Sequence, residues 1–208
     1  MVSKAGLQAS VRCDWCGDLE DYCRYHDKEW GFPVQDDTRI FEKVCLEGFQ
    51  AGLSWLTILR KREAFREAFS DFEIEHVARF SERDVQRLLG NRGIVRHRGK
   101  IQAAIHNAKC AQEMLRTESS LAAYFWQYEP DPRSRPTRVT LEVYRAMTIS
   151  PESIALSKDL RKRGWQFVGP TNMYALMQAL GLVNDHVEGC WARDAAFRAR
   201  EKFKVPRT

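Results

Sequence analysis

Apolar residues recur every three or four positions along most of this chain of 208 residues. That spacing places apolar side chains on one face of an α-helix, whereas no long stretch alternates apolar and polar residues as a half-buried strand does. The segment YEPDPRSRPTR at 128–138 holds three of the seven prolines and is typical of a loop. The pattern therefore predicts an all-α fold of about eight helices.

Capping residues mark where several of these helices begin and end. Thr38 is a candidate N-cap for the helix that contains Glu47. Farther along, Ser150 and Pro151 form the start of a helix that ends at Gly164. Such start and stop signals indicate separate helices rather than one long one.

Residues 165–170 form a short link between the helix ending at Gly164 and a helix beginning near Thr171, with Gly169 and Pro170 in the turn. Amide groups at the start of a helix are free to face a phosphate. Helix pairs of this kind bind the DNA backbone without reading its sequence. An ordinary helical hairpin is the alternative, and these residues alone do not decide between the two.

The charge of the chain permits a negatively charged partner without requiring one. The formal net charge is +5, and residues 191–208 contain six basic and two acidic residues. Local basic clusters permit nucleic-acid binding, although solvated helix faces look the same. No apolar run approaches the roughly 18 residues of a membrane span, and residues 1–12 lack the apolar core of a signal peptide. We expect a cytosolic monomer with no membrane partner.

Cysteine and histidine residues cluster near both ends of the chain. The stretch RCDWCGDLEDYCRYHDKEWG at 12–31 holds three cysteines and one histidine. A redox Cys-x-x-Cys pair normally follows a strand, and no strand pattern precedes Cys13 and Cys16. His186 and Cys190 are four residues apart, which puts two ligands on one face of a helix. Two ligands from each end would complete a tetrahedral zinc site; otherwise these are separate core or surface residues.

Glu47 falls on or beside the apolar stripe of its helix. A carboxylate in such a place must be paired, open to a cleft, or functional, unless the helix ends there and leaves it in solvent. Gly48 and Gly52 follow it, and each weakens a helix by about 1 kcal/mol relative to alanine. Glycines at that cost indicate the close approach of a ligand or of another backbone.

Four large aromatic residues, Trp15, Tyr25, Trp30 and Trp55, lie within 41 residues of one another. Most tryptophans anchor a core. Aromatic side chains that flank a carboxylate can also enclose a flat or cationic ligand.

Taken together, these features resemble the bacterial 3-methyladenine DNA glycosylase I family, in the helix–hairpin–helix DNA glycosylase superfamily. The matching stretches run in order over residues 12–190: RCDW, YHDKEWG, FEKVCLEGFQAGLSW, GIVRHRGKIQA and LSKDLRKRGWQFVGPTNMYALMQALGLVNDHVEGC. Within them, LEGFQAGLSW and GLVNDHVEGC are highly specific.

The resemblance implies a base-excision repair enzyme. Members of the family hydrolyse the N-glycosidic bond of 3-methyladenine, and less readily of 3-methylguanine, in alkylated duplex DNA, after flipping the nucleotide out of the helix. They leave an abasic site without cutting the strand, and their zinc is structural. The alternative for this chain is a zinc-stabilised DNA-binding protein of the same fold without excision activity.

The resemblance also implies roles for particular residues. Glu47 matches the glutamate that contacts the base, and we assign it the catalytic site. The implied zinc ligands are Cys13, His26, His186 and Cys190. The implied base-binding aromatics are Tyr25 and Trp55, supported by Trp15 and Trp30. The implied DNA-binding residues are the wedge Leu53 with Gly52, and Gly164, Gly169 and Thr171 of the hairpin.

The family pattern divides the chain into an N-terminal extension at 1–11, a glycosylase domain at 12–190 with its hairpin at about 153–181, and a basic tail at 191–208. Cys16 and Cys23 are extra thiols near the expected zinc, and a Cys3His shell is an alternative. Asp185 follows the hairpin, where many relatives in the superfamily carry a catalytic aspartate. Because its neighbour His186 is an expected zinc ligand, we assign Asp185 no catalytic role.

Overall fold

The computed structural model describes residues 11–207 and is helical, with no strand among them. Three short 3-10 helices accompany eleven α-helices: α1 Glu20–Lys28, α2 Asp37–Gln50, α3 Trp55–Ala68, α4 Ile74–Ala78, α5 Glu82–Gly90, α6 Arg98–Met114, α7 Leu121–Trp126, α8 Leu141–Ala146, α9 Pro151–Lys162, α10 Pro170–Leu180 and α11 Trp191–Lys202. The all-α prediction is confirmed, but eight helices were too few. Helices of five or six residues, such as α4, contain too few apolar positions to show a period.

Helix α2 runs through the centre of the molecule. All of its residues from 40 to 49 are buried, including Glu47, and α3, α6, α7 and α10 pack around it. The predicted cap at Thr38 is wrong. Asp36 caps the helix by accepting a hydrogen bond from Arg39 N–H at 2.8 Å, so Thr38 lies within the first turn.

Helices α9 and α10 pack against each other as a helical hairpin, with the short link between them where it was predicted. Ser150 caps α9, and Gly169 is the N-cap residue of α10. Gly164 adopts the left-handed conformation that ends α9, with φ of 88°. Ser157 Oγ donates to Val168 O at 2.6 Å, which ties the turn to the preceding helix.

His186 and Cys190 do not share a helix face, so that part of the prediction is wrong. They lie in the loop between α10 and α11. Gly181 ends α10 in the left-handed conformation, with φ of 75°. A Cβ at Gly181 would lie 2.4 Å from the carbonyl carbon of Phe32, so only glycine permits this close approach. The chain therefore leaves the helix before it reaches His186.

The segment expected to be a basic tail forms helix α11 over residues 191–202. Ala192 and Ala196 are buried against the rest of the domain. Arg200 forms a bidentate ion pair with Glu129 at 2.6 Å. The helix was not predicted because most side chains of the segment are charged or exposed. The two buried alanines that let it pack closely gave little apolar pattern. None of the helices in the described range is both long and apolar enough to cross a membrane.

Candidate active site and metal centre

Four buried side chains from the two ends of the chain meet at one point. The ligand atoms of Cys13, His26, His186 and Cys190 all lie within 4.8 Å of one another. His26 Nε2 and His186 Nδ1 are 3.1 Å apart, and Cys190 Sγ lies 3.5 Å from His26 Nε2 and 3.7 Å from His186 Nδ1. A tetrahedral zinc with bonds of about 2.0–2.3 Å needs ligand separations of roughly 3.3–3.8 Å. The three measured separations lie within about 0.2 Å of this range, so the four side chains could hold a metal ion of this size.

The other nitrogen of each histidine is engaged outside the cluster. His26 Nδ1 donates to Asp27 at 2.8 Å, and His186 Nε2 donates to the carbonyl of Trp30 at 2.9 Å. Arg12 holds Asp27 through two of its own nitrogens, at 2.9 and 3.0 Å. These bonds fix the tautomer that turns His26 Nε2 and His186 Nδ1 inward, as outer-shell partners of metal-bound histidines do.

The two thiols of the cluster form a hydrogen-bonded pair in which the pKa of Cys13 is raised and Cys190 is the one that ionises. The pKa of Cys190 is lowered, first because the thiol of Cys13 donates a hydrogen bond to it and then because the two histidine rings lie beside it. Thiolate is the form of cysteine that binds zinc. Cys16 and Cys23 lie outside the cluster, since their thiols donate to backbone carbonyls, of Cys13 at 3.1 Å and Gly17 at 3.2 Å. The geometry therefore favours a Cys2His2 set over the Cys3His alternative.

A cavity of about 230 Å³ lies beside the metal cluster. Glu47 and the four predicted aromatics all line it, although they come from different elements. Five further lining residues were not predicted: Tyr22, Gln50, Tyr144, Ala175 and Gln178. Two of them could have been predicted from the sequence. Tyr22 is three residues from Tyr25 on α1, and Gln50 is three residues from Glu47 on α2, so each pair shares one face of its helix. The other three come from α8 and α10, and no local pattern marked them.

The aromatic wall of the cavity is continuous with the metal cluster. Trp15 packs edge-on against Trp30 at 5.0 Å and against His26 at 5.3 Å, and Trp30 packs against His186 at 4.7 Å. Across the cavity wall, the rings of Tyr25 and Trp55 lie 5.3 Å apart. Two of these rings therefore rest directly on the residues that would hold the ion.

Glu47 is the buried carboxylate of the cavity, with 4 % of its surface exposed. Burial and the charge of Lys43 are the influences on its carboxyl group, and no residue between 11 and 207 donates a hydrogen bond to it. Burial raises the pKa of Glu47 to about 8, and the nearby Lys43 opposes this shift. Lys43, one turn earlier on α2, lies 5.8 Å from the ring centre of Tyr25. An unpaired carboxylate with a raised pKa is a group that a cationic ligand would complete.

The segment between α2 and α3 presents Leu53 to solvent. Leu53 is 42 % exposed, and Gly52 beside it has φ of 79°. Lys100, which the sequence did not mark, is buried and donates to the carbonyls of Phe49 at 2.9 Å and Ala51 at 2.5 Å. These bonds satisfy backbone carbonyls at the C-terminal end of α2 that have no partner within the helix. They also hold the segment that carries Leu53.

The hairpin reaches the same region. The first intrahelical bond of α10 runs from Met173 N to Gly169 O at 2.9 Å, so the amide of Thr171 precedes it. Asn172 Nδ2 donates to the carbonyl of Glu47 at 3.4 Å, which links the start of α10 to α2. Thr171 also lines a second cavity, of about 240 Å³, that shares Tyr144, Ala175 and Gln178 with the first. Gly164 is not among the residues that line either cavity. Its carbonyl accepts a hydrogen bond from His106 at 3.0 Å.

The chain is similar to known proteins over most of its length. The sequence model of the family described as methyladenine glycosylase matches residues 15–193. DNA-3-methyladenine glycosylase 1 of Escherichia coli strain K12 is 46% identical over 179 residues, covering 86% of this chain and 95% of that protein. DNA-3-methyladenine glycosylase of Haemophilus influenzae is 42% identical over 190 residues, covering 87% and 97%. A crystal structure of 3-methyladenine DNA glycosylase I superposes with a TM-score of 0.80 at 47% identity, covering 87% and 98%.

Proposed function

Because the chain belongs to the methyladenine glycosylase family and is a DNA glycosylase, we propose that it excises 3-methyladenine from alkylated duplex DNA. In this proposal 3-methylguanine is a poorer substrate, the nucleotide is flipped into the 230 Å³ cavity, and hydrolysis leaves an abasic site. The observation that carries the proposal is the placement of Glu47. Its carboxylate is buried, and no residue between 11 and 207 donates a hydrogen bond to it. The aromatic rings around it would enclose a flat cation.

An N3-methylated adenine in DNA carries a positive charge, and this charge decides what the enzyme must supply. Departure of the cationic base takes the electrons of the glycosidic bond and leaves a sugar cation, which water then attacks. The leaving group needs no prior protonation, so little general-acid catalysis is required. Aromatic faces would favour the cation over a neutral base by about 1–2 kcal/mol when water is excluded.

In this reaction Glu47 chiefly recognises the base. Its ionised carboxylate accepts hydrogen bonds from the exocyclic amino group and offsets the charge of the purine. The bound cation would lower the raised pKa of Glu47, so the carboxyl group would lose its proton as the substrate enters. A neutral, undamaged adenine carries no charge to stabilise the ionised carboxylate. The free-energy cost of ionising the buried Glu47 would then stay the same as in the free enzyme.

Extraction of the base requires a group that fills its place in the stack and contacts that hold the backbone. Flipping costs a few kcal/mol, and less at a damaged base pair. Leu53 is exposed on a short segment beside the cavity, as a wedge must be. In this proposal the amide of Thr171, which precedes the first intrahelical bond of α10, would bind a phosphate as in helix–hairpin–helix proteins. Contacts of this kind bind DNA regardless of sequence and weaken as salt rises.

Zinc is the metal that the cluster would hold, through Cys13 Sγ, His26 Nε2, His186 Nδ1 and Cys190 Sγ. Protein atoms would fill all four positions of a tetrahedral ion, so a bound zinc would supply structural rigidity rather than an activated water. It would join residue 13 to residue 190 and brace Trp15 and Trp30 at the cavity wall.

The experiment that tests this function is release of 3-methyladenine from alkylated duplex DNA by the wild-type protein. Glu47→Gln should release it at least tenfold more slowly, because a charge-assisted hydrogen bond contributes about 1.5–3 kcal/mol. Glu67→Gln, at an exposed position on α3, should match wild type. Binding to abasic duplex without any base release would instead support the alternative of a zinc-stabilised DNA-binding protein that has lost excision. A base-binding pocket with an unpaired carboxylate argues against that alternative.

A further inference from the structure

Asp185 is the centre of a hydrogen-bond network beside the candidate base pocket. The side chain of Asp185 is fully buried. Its Oδ2 accepts hydrogen bonds from Tyr174 Oη at 2.8 Å and from Gln178 Nε2 at 2.9 Å, while its Oδ1 pairs with the guanidinium of Arg135. Arg135 also donates to Tyr174 Oη at 3.1 Å. A carboxylate paired with arginine can only accept, so the direction of each bond to Asp185 is fixed.

The fixed direction determines how Gln178 is oriented. A glutamine amide has one end that donates and one end that accepts. Because Gln178 Nε2 donates to Asp185, Gln178 Oε1 is left as an acceptor, and no residue between 11 and 207 donates to it. Gln178 lines the cavity that contains Glu47 and also the adjoining cavity that contains Thr171. Gln178, with its amide oriented in this way, therefore belongs to the walls of both cavities.

Asp185 is held by two segments that do not themselves line the cavity with Glu47. It lies in the loop after α10, one residue before His186, so the metal cluster anchors the loop that delivers it. Arg135 comes from the proline-rich segment 128–138. The backbone of Gln178 is held as well, because Gly31 N–H donates to its carbonyl at 2.9 Å.

We propose that Gln178 is a specificity-determining residue of the pocket and that Asp185 is its positioning residue. This inference rests on the proposed function. The exocyclic amino group of adenine has two N–H bonds, and the pocket offers Glu47 and Gln178 Oε1 as acceptors, one for each. A purine with a carbonyl oxygen at the same ring position would set that oxygen against an acceptor that Asp185 prevents from turning, and it is bound less tightly for that reason.

The test compares two free bases that differ at this ring position, 3-methyladenine with its amino group and 3-methylhypoxanthine with its carbonyl. Their binding is measured by quenching of tryptophan fluorescence in wild type and in Gln178→Met, which keeps the length of the side chain and removes the acceptor. Wild type should prefer 3-methyladenine, and Gln178→Met should lose roughly tenfold of that preference. Gln102→Met, at an exposed glutamine of α6, should keep the wild-type preference. An unchanged preference in Gln178→Met overturns the proposal.

Asp185→Asn tests the positioning role. An asparagine can donate as well as accept, so the amide of Gln178 is free to turn, and the preference should fall in this variant. It should fall no further when Asp185→Asn is added to Gln178→Met. A purely structural role would instead weaken binding of both bases equally and keep their ratio, which would refute the positioning role. If Asp185→Asn does not fold, Tyr174→Phe takes its place and is compared with Gln178→Met. The proposal is supported if Tyr174→Phe keeps the preference for 3-methyladenine and Gln178→Met loses it.

Different results refute the proposed function and the role of Gln178. A wild-type protein that releases no 3-methyladenine from alkylated DNA refutes the proposed function. A wild-type protein that releases it, but whose preference between the two free bases is insensitive to Gln178→Met, refutes only the role of Gln178.

Discussion

Tyr25 and His26 are consecutive residues of α1, both buried, and they belong to different sites. His26 Nε2 lies 3.1 Å from His186 Nδ1 in the metal cluster. The ring of Tyr25 lies 5.3 Å from that of Trp55 at the cavity. One helix turn thus joins the cluster that closes the chain to the pocket that would receive the base. A disturbance of the cluster should therefore be felt in the pocket.

Zinc content and stability test the metal centre. Protein purified without chelator should contain one zinc per chain. Removal of the metal, or Cys190→Ser, should lower the free energy of unfolding by several kcal/mol, because folding supplies the preformed site. Cys110→Ser changes a half-buried thiol on α6 outside the cluster and serves as the control. Elemental analysis and thermal unfolding provide the measurements, and a metal-free wild type of full stability would contradict the assignment.

The pH dependence of excision tests the ionisation of Glu47. Burial raises the pKa of this carboxyl group to about 8 in the free protein, and the ionised form is the one that binds the cation. The value of kcat/KM should rise with pH, by roughly tenfold per unit below pH 8, and level off above it. The same rise should be missing in Glu47→Gln, measured at constant ionic strength. A wild-type profile without this limb would exclude the proposed role of the carboxylate.

The same ionisation should appear in the stability of the protein. The pKa of Glu47 is about 8 when folded and near its ordinary value of 4.5 when unfolded. Glu47 therefore contributes full stability below pH 4.5 and loses it as pH rises towards 8. Glu47→Gln stays neutral, so its free energy of unfolding should gain on wild type across this window, by about 5 kcal/mol in all. Denaturant unfolding from pH 4 to pH 9 measures the gap, which a pH-independent difference would disprove.

Leu53 should matter for DNA but not for folding. Because its side chain is 42 % exposed, Leu53→Ala should change the free energy of unfolding by less than about 0.5 kcal/mol. Excision should nevertheless fall by roughly tenfold or more, since the wedge that offsets the cost of flipping is lost. Leu19→Ala truncates a leucine of similar exposure, 45 %, at the start of α1. Equal excision by the two variants would remove Leu53 from the DNA interface.

Lys100 should hold in place the segment between α2 and α3 that carries Leu53. Lys100→Met removes the donors that bind the carbonyls of Phe49 and Ala51. The free energy of unfolding should fall by about 1–3 kcal/mol, because the buried carbonyl of Phe49 and the part-buried carbonyl of Ala51 lose their donor. Excision should also fall, as the segment carrying Leu53 loosens. Lys109→Met, at an exposed position on the same helix, should leave both properties unchanged in unfolding and base-release assays.

The sequence by itself determined the helical class, the loop at 128–138 and the α9–α10 hairpin. These features depend on signals that lie within a few residues of one another, such as the cap at Ser150 and the stop at Gly164. Resemblance to a known family added the four-residue metal set and the residues of the pocket, because those motifs are specific in the sequence. The roles of these residues in DNA remain predictions for the experiments above.

Only the tertiary structure decided how the distant parts meet. A period of apolar residues could not show that His186 and Cys190 lie in a loop, since that depends on Gly181 approaching Phe32. Nor could it show that Lys100 satisfies the end of α2, or that Asp185 orients Gln178 at the cavity. These contacts join residues from different elements, and their energy comes from burial and hydrogen bonding that exist only after packing. The local sequence specified the helices, and their packing assembled the site.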